Sequence, residues 1–530
     1  MPSGCQNFLC AIRYIWKMEF AMNEMADEST LAEAPASGWR GTRAYWIVIL
    51  AISSLVMLYA VTRAFVWDEG YHLIAAQQIS QGKLPYIDFC FPQTPLNAYA
   101  NAAVIKVFGQ HWQPVHVLAA LFSMGAMLLT AQFIISRFPV ARWRLPLAIA
   151  AAVFVGLNEV VVQFGTIGQA YGICLFFTVA AYRVAVLTPQ RSTFLLPLAC
   201  GALAGVAAGS SLLTAPIVLM LFVWICFYNQ AGPPLRKALA FLVGVMTAFL
   251  PVFWLFFQGR EQTIFNVLKY HALYRRSDWP GAGYHDLQVF TSWLDSTQAL
   301  TLVLLSLVAF VFLRKQATLP SQGADWSRLQ RAEFYLAAWI SLAEGAYLCT
   351  PHPTFGRYFI FLTPFLTLLS MVGVYALASK MGYGARPTWP AGVAAVLMAM
   401  MCSSFVVNSF QETTWQEYEK VAQKVASVTP QGGRIFADEV VYFALGQNPP
   451  SGMEVSYTHT VTLSARDEKL EHIVSLQELK DQFANHDFAT VQSCSDAEMD
   501  RYGLPASYRY HADINDCTVY WGQVPPQAPK

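Results

Sequence analysis

The sequence predicts a polytopic α-helical membrane protein, with about eleven transmembrane helices and a small C-terminal α/β domain outside the cytoplasm. Three observations carry this. Of 530 residues, 55% are hydrophobic and only 13% charged, about half the charged share of a soluble protein. The charge-poor stretches are long and recurrent, and the mean hydropathy is +0.38. The last 120 or so residues, by contrast, have ordinary polar composition.

A spanning helix needs about 20 mainly apolar residues. The stretch 44–62 (AYWIVILAISSLVMLYAVT) has no charge and qualifies. Further spans are expected at 114–136, 145–163, 168–187, 194–209, 212–229, 238–257, 298–313, 332–350, 357–379 and 389–409. Only a short Gly/Ser break separates the pair 194–209 and 212–229. Orientation follows from Lys and Arg in the short loops. Arg40 and Arg43 precede the first span, and Arg137, Arg142 and Arg144 follow the second. Arg183 and Arg191, then Arg236 and Lys237, then Arg314, Lys315, Arg328 and Arg331, then Lys380 and Arg386 continue the pattern. Alternate loops are basic, as an eleven-span chain with its N-terminus inside and its C-terminus outside requires.

The chain then divides into a polar extension at 1–39, a transmembrane domain at 40–409 and an extracytoplasmic domain at 410–530. The extension has no apolar run followed by a small-residue cleavage site, so a removable signal peptide is not expected. Met18, Met22 and Met25 are alternative starts. Two outer loops stand out, at 63–113 and 258–297. The first holds two helix-like stretches, YHLIAAQQISQG stopping at Gly82 and LNAYANAAVIKVFG ending at Gly109. Both are expected to lie along the outer membrane surface. The tail mixes a helical pattern over 415–428 with strand-like residues over 433–445.

Several function classes find no support. A net charge of +1 says nothing for or against nucleic acid, and there is no basic tail. The ten cysteines have no zinc spacing. Cys494 and Cys517 fall in the polar tail, where they form a disulfide if the tail is outside the cytoplasm; two free thiols is the alternative. There is no Walker A motif, no D-x-D and no W-W-D-Y-G. No internal repeat of the kind many transporters carry is visible.

The candidate chemistry sits where the first span ends. Asp68 and Glu69 follow the apolar run at once, then Tyr71 and His72. A carboxylate there serves as a general base or an electrostatic anchor; a solvated helix end is the plainer reading. A third acid, Asp88, follows the rigid Pro85. Glu344 lies inside an expected span, where acids are costly and often functional, and Arg357 is close enough in sequence to pair with it; an interhelical hydrogen bond is the alternative. Asn158, Glu159 and Gln163, at another outer end, either line the same cavity or cap a helix.

The loop WDEGYHLIAAQQISQGKLPYIDFCFPQTPLNAYANAAVIKVFG resembles the first outer loop of the GT-C glycosyltransferases. More narrowly, it is similar to the protein O-mannosyltransferase, aminoarabinose-transferase and RgtA/B/C/D-like group. The matching positions are Asp68, Glu69, Tyr71, Gly82, Pro85, Tyr86, Asp88, Pro95, Leu96, Tyr99, Phe108 and Gly109, over about 45 residues. AGVAAGSSLLTAP in mid-chain and HPTFGRYFIFLTPFLTLL, with Arg357 and Tyr358 as the R-Y segment, extend the likeness. GGRIFADEVVYFALGQNPPSG resembles the periplasmic ending of the group.

The resemblance implies an enzyme of the bacterial inner membrane, acting on the outer face. It takes a sugar from a polyprenyl-phosphate donor and passes it to a lipid, glycan or protein hydroxyl. It implies Asp68 as the general base, with Glu69 as the second catalytic carboxylate; orienting the acceptor or sugar is the alternative role for Asp68 or Asp88. Arg357, His352 and Tyr358 are the expected partners of the leaving phosphate, with Lys269, His271, Arg275 and Arg276 as further candidates. Tyr71, His72, Tyr86, Asp88 and Glu344 complete the expected substrate contacts. Where relatives have K-P-P-L, this chain has Gln93-Thr94-Pro95-Leu96; Lys83 and Lys106 are possible replacements for the missing charge. No cofactor is implied; a divalent cation on Asp68, Glu69 and Asp88 is possible but not indicated. The outer ends of the spans are expected to form one cavity holding Asp68, Asp88 and Arg357. A lipid transporter or flippase, an O-antigen-type ligase and a non-catalytic scaffold are the competing readings.

Overall fold

The computed structural model describes residues 38–275, 282–318 and 326–524. Arg276 and the alternative start methionines lie outside the described residues. Two units are distinguished, Met1–Ile47 and Val48–Lys530. Of the first, only the opening turns of the helix Gly38–Thr62 are described.

Helix occupies each of the eleven expected spans. Among the described residues, five helices are long and apolar enough to cross a membrane: Gly41–Thr62, Trp112–Arg137, Thr297–Ala317, Gly356–Lys380 and Thr388–Asn408. A sixth is added if Pro234–Ala248 and Leu250–Gln258, bent by 54°, count as one span. Tyr171–Ala185, Leu195–Ser210 and Leu212–Phe227 are apolar but shorter.

Continuity is where sequence and structure differ. The expected span 145–163 breaks after Ala141–Gly156 and resumes as the short helix Glu159–Phe164. Buried Gln298 repairs the break: its amide nitrogen donates to Leu157 O at 2.9 Å and its Oε1 accepts the Glu159 amide at 2.8 Å. Backbone groups freed at membrane depth need such partners. The bend at 249–250 coincides with Pro251 in the first turn of the second segment, the usual cause of a kink. Leu195–Ser210 and Pro234–Ala248 approach closely through glycine. A Cβ on Gly201 would collide with the Phe241 carbonyl, and one on Gly244 with the Leu198 carbonyl. Small residues let helices in a membrane touch backbone to backbone.

The first loop folds as two helices, Glu69–Ser80 and Leu96–Phe108. Glu69–Ser80 does not lie on a surface: ten of its twelve residues are buried. The tail covers it. Leu73, Ile74, Ala102, Ile105, Trp112, Trp415, Tyr418, Val440 and Phe443 share one hydrophobic core. Phe65 stacks on Tyr418 at 4.7 Å and Trp112 on Trp415 at 5.6 Å.

The tail helix Trp415–Val428 matches its expected bounds and starts in a capping box of Thr414 and Glu417. The strand-like stretch 433–445 does not hold as one element. Only Ile435–Phe436 is strand (β1), and Glu439–Leu445 is a helix. Packing on the first loop overrides the local β preference. With β2 (Thr490–Ser493), β3 (Tyr508–Ile514) and β4 (Cys517–Gln523), β1 forms a sheet of order β1-β2-β4-β3. β1 and β2 are parallel; the other pairs are antiparallel. Cys494 and Cys517 are bonded, which ties the end of β2 to the start of β4.

Candidate active site

A cavity of about 310 Å³ opens where the first loop, the 258–275 segment and the 349–358 segment meet. Asp68, Tyr71, His72, Gln93, His271, Arg275, His352, Arg357 and Tyr358 line it. Nine of the expected site residues are thus brought together from four separate stretches of sequence.

Each wall has a local cause. Asp68 is the residue before the helix Glu69–Ser80, so its side chain leaves the helix end toward the opening. Gln169 and Tyr171 arrive through the turn before the helix Tyr171–Ala185. That turn is pinned to the first loop. Asn97 and Asn101 donate to Gly168 O at 2.8 and 2.6 Å, and the Gly168 amide donates to Glu69 Oε1 at 2.6 Å. His271 and Arg275 come from a π-helical stretch, Phe265–Tyr274, and its C-terminal neighbour. Wide turns of this kind recur at functional sites.

The electrostatics are organised around two guanidinium groups. Arg357 makes an ion pair with Asp68 and lies over the Phe355 ring at 4.5 Å. Its Nε is buried without a partner. Arg275 donates to the Tyr358 hydroxyl at 3.0 Å. The histidines differ. Burial, then Arg357, pushes the His72 imidazole down to about 3. Burial, then Arg275, pushes His271 down to about 4, although its Nε2 lies 2.7 Å from Pro92 O. Burial, reinforced by Asp68, raises the Tyr71 phenol; its ring meets Tyr457 of the tail edge to face at 5.4 Å. His352 has a carboxylate partner, Asp286, 2.7 Å from its Nδ1.

The remaining expected residues lie elsewhere. Glu69 is wholly buried beneath the cavity floor, 2.6 Å from His116 Nε2 and with Trp415 Nε1 3.4 Å away. It joins loop, span and tail rather than facing a ligand. Asp88 is exposed and caps its own turn, accepting the Leu84 amide at 2.7 Å. It does not enter the cavity that was expected to hold it. Tyr86 is buried in a left-handed turn (φ 72°) and donates to Gln93 O at 2.6 Å; it shapes the wall from behind. Lys83 reaches Gln78 Oε1 at 3.5 Å, and Lys106 and Lys269 point to solvent. Neither lysine offered as a replacement supplies charge at Gln93. Glu344 is buried with both carboxylate oxygens unpartnered. It does not pair with Arg357, which Asp68 holds instead. Asn158 and Glu159 brace the helix break, where Ser296 donates to Glu159.

The sequence reading missed Gln169, Tyr171, Ser211, Tyr347 and Asp286. Tyr171 carried a signal, since it stands between Gly168 and Gly172 at the head of a span. Asp286 carried none. Among the described residues, no group of three or more His, Cys, Asp or Glu is placed to hold a metal ion.

No protein-family model matches the chain, and no curated protein matches it by sequence. Solved structures do match. The crystal structure of ArnT from Cupriavidus metallidurans bound to undecaprenyl phosphate has a TM-score of 0.61 at 13% identity, over 92% of this chain and 99% of that one. The same protein in the apo state gives 0.64 at 11% identity, over 90% and 98%. The apo oligosaccharyltransferase of Archaeoglobus fulgidus gives 0.52 at 12% identity, over 87% of this chain and 71% of that one. These likenesses, at 11–13% identity, show that the chain shares the fold of these structures.

Proposed function

We propose that this chain is a membrane glycosyltransferase moving a sugar, hexosyl or pentosyl, from a polyprenyl-phosphate donor to a lipid, glycan or protein acceptor. One observation carries the reading most. Arg357 presents a buried, unpartnered Nε–H on the wall of a cavity that also holds Asp68 and Arg275. A desolvated cationic donor without a partner is costly, and an anion relieves it. A protein of this fold was crystallised with undecaprenyl phosphate, an anion on an apolar chain.

In this reading the donor phosphate binds Arg357 and Arg275 and draws Arg357 away from Asp68. The freed carboxylate takes the acceptor proton as the acceptor oxygen attacks the anomeric carbon. The carrier phosphate leaves into the arginines, which offset its growing charge. Gln93 needs no positive charge here, because both arginines face it across the cavity. Tyr71, His72 and Tyr358 line the sugar side. Glu69 positions Asp68 through the helix start.

We further propose eleven spans in a bacterial inner membrane, with the N-terminus cytoplasmic and the tail periplasmic. The alternation of basic loops supports this, as does the tail disulfide. The transport reading gains one observation: the break at Ser211 lines the cavity, and interrupted helices mark many transporter sites.

The deciding experiment uses the full chain in liposomes with a panel of radiolabelled polyprenyl-phosphate sugars. Label leaving the carrier, and leaving it 10²-fold or more slowly with Asp68→Asn, supports the transferase. Label that crosses the bilayer still on its carrier favours transport.

A further inference from the structure

Asp286 has no role in the scheme above, yet it is bonded to the cavity wall at two points. Its Oδ2 lies 2.7 Å from His352 Nδ1, and its Oδ1 accepts the Thr354 amide at 2.7 Å. The second bond fixes the carboxylate, so it can fix the ring. An ionised carboxylate only accepts hydrogen bonds, so His352 Nδ1 carries a proton. Nε2 is then the nitrogen left for the cavity, and no protein group among the described residues holds it. His352 and Asp286 side chains are 22% and 17% exposed. The pair is therefore shielded but reachable.

The three cavity histidines are not equivalent. His72 and His271 have no carboxylate partner, and burial pushes them down to about 3 and about 4. Both are neutral at physiological pH. Arg275 and Arg357 are charged but cannot give up a proton. His352, facing Asp286 on one side and Tyr347, Tyr358, Arg275 and Arg357 across the cavity, is the cavity histidine with a carboxylate partner.

We propose that Asp286 and His352 form a proton-transfer dyad serving the donor phosphate. His352 donates from Nε2 to the oxygen that leaves the anomeric carbon, and Asp286 is its positioning residue. The inference rests on the transferase reading. As the acceptor oxygen bonds to the anomeric carbon, the bond from that carbon to phosphate oxygen breaks and its electron pair stays on the phosphate. The acceptor's proton goes to Asp68, and the Nε2 proton goes to the phosphate. Water then carries the proton from Asp68 back to His352. The net change moves the acceptor's proton onto the carrier phosphate, so the enzyme is restored. Asp286 stabilises the imidazolium between turnovers, as a buried carboxylate does for a catalytic histidine elsewhere.

The test measures binding of undecaprenyl phosphate and of undecaprenol, its uncharged counterpart, to the purified full chain. Asp286→Asn keeps the shape and removes the charge; His352→Ala removes the donor. Each is expected to weaken undecaprenyl phosphate about 10- to 100-fold, the scale of one hydrogen bond to a charged group. Each should leave undecaprenol within about twofold. The double variant should be no weaker than either single one, because the residues act as a unit. Variants that bind the phosphate like wild type overturn the dyad alone. So do losses that add, or losses shared equally by undecaprenol. A wild type that does not prefer the phosphate over the alcohol overturns the phosphate site, and the dyad with it.

Discussion

Asp68 and Arg357 lie 289 positions apart in the chain and are joined by a side-chain ion pair at the mouth of the cavity. On the proposed function, a ligand phosphate competes with Asp68 for the guanidinium, so binding the donor and freeing the base become one event.

This coupling gives the two substitutions opposite signs. Asp68→Asn should tighten undecaprenyl phosphate by about two- to fivefold, the worth of a half-exposed ion pair, while slowing sugar transfer by 10²-fold or more. Arg357→Gln should weaken the same ligand about 10- to 100-fold. A titration of both variants beside wild type checks this. If both substitutions weaken binding, the competition does not exist.

Glu69 separates from its neighbour in the same way of reasoning. With His116, the Gly168 amide and Trp415 around it, it holds three parts of the fold together. Leaving a buried hydrogen-bonding group unsatisfied costs about 1–3 kcal/mol. Glu69→Gln should therefore lower the thermal unfolding midpoint in detergent by several degrees, and turnover per folded molecule should change far less than with Asp68→Asn. A Glu69→Gln protein with a wild-type midpoint and lost turnover would return Glu69 to the chemistry.

These two acids show how far the sequence could be read. Their adjacency and the apolar run before them pointed to one wall of the cavity, and Arg357-Tyr358 to another. Their different fates were not legible, because one residue of helix turns a side chain by about 100° and neighbours set what it meets. Asp88 was misleading for a related reason: a carboxylate that caps a turn and one that binds a ligand look alike in sequence. The helix Glu69–Ser80 read as amphipathic, yet the tail buries its outer face. Periodicity reports a polar face, and Gln77 shows how such a face can still be buried: it bonds Gln447 O at 3.0 Å and Asn448 at 2.8 Å. Long-range partners of this kind, Asp286 for His352 among them, leave no local trace.

The contact between loop and tail should depend on pH. Glu454 is 2% exposed and accepts the Gly452 amide at 2.8 Å. Burial pushes its carboxyl from 4.5 up to about 7, with Gln78 and Lys83 of the first loop pulling the other way. A raised carboxyl binds its proton more tightly in the folded chain than in the unfolded one. Stability from this group is full below the unfolded value, falls as pH rises toward 7 and is flat above. Glu454→Gln keeps an acceptor and cannot ionise. It should flatten the decline in unfolding midpoint between pH 5 and pH 8 and raise the midpoint at pH 8. Parallel curves for the two proteins would remove Glu454 as the cause.

The last prediction concerns which side of the membrane the tail occupies. Cys494 and Cys517 are bonded across 23 positions, and such bonds persist in oxidising compartments. The proposed orientation, argued from the basic loops, puts the tail on that side independently. A membrane-impermeant maleimide added to intact cells should therefore leave both residues unlabelled until a reductant is supplied, then label both. Cys517 is buried on β4 against the core shared with the first loop, so loss of the bond should loosen that face. Cys494→Ser together with Cys517→Ser should cost about 3 kcal/mol, the scale for closing a loop of this length. The cost should fall on the tail that covers the helix Glu69–Ser80, and so on the helix end that carries Asp68. Labelling that requires permeabilised cells would put the tail inside and reverse the orientation of every span.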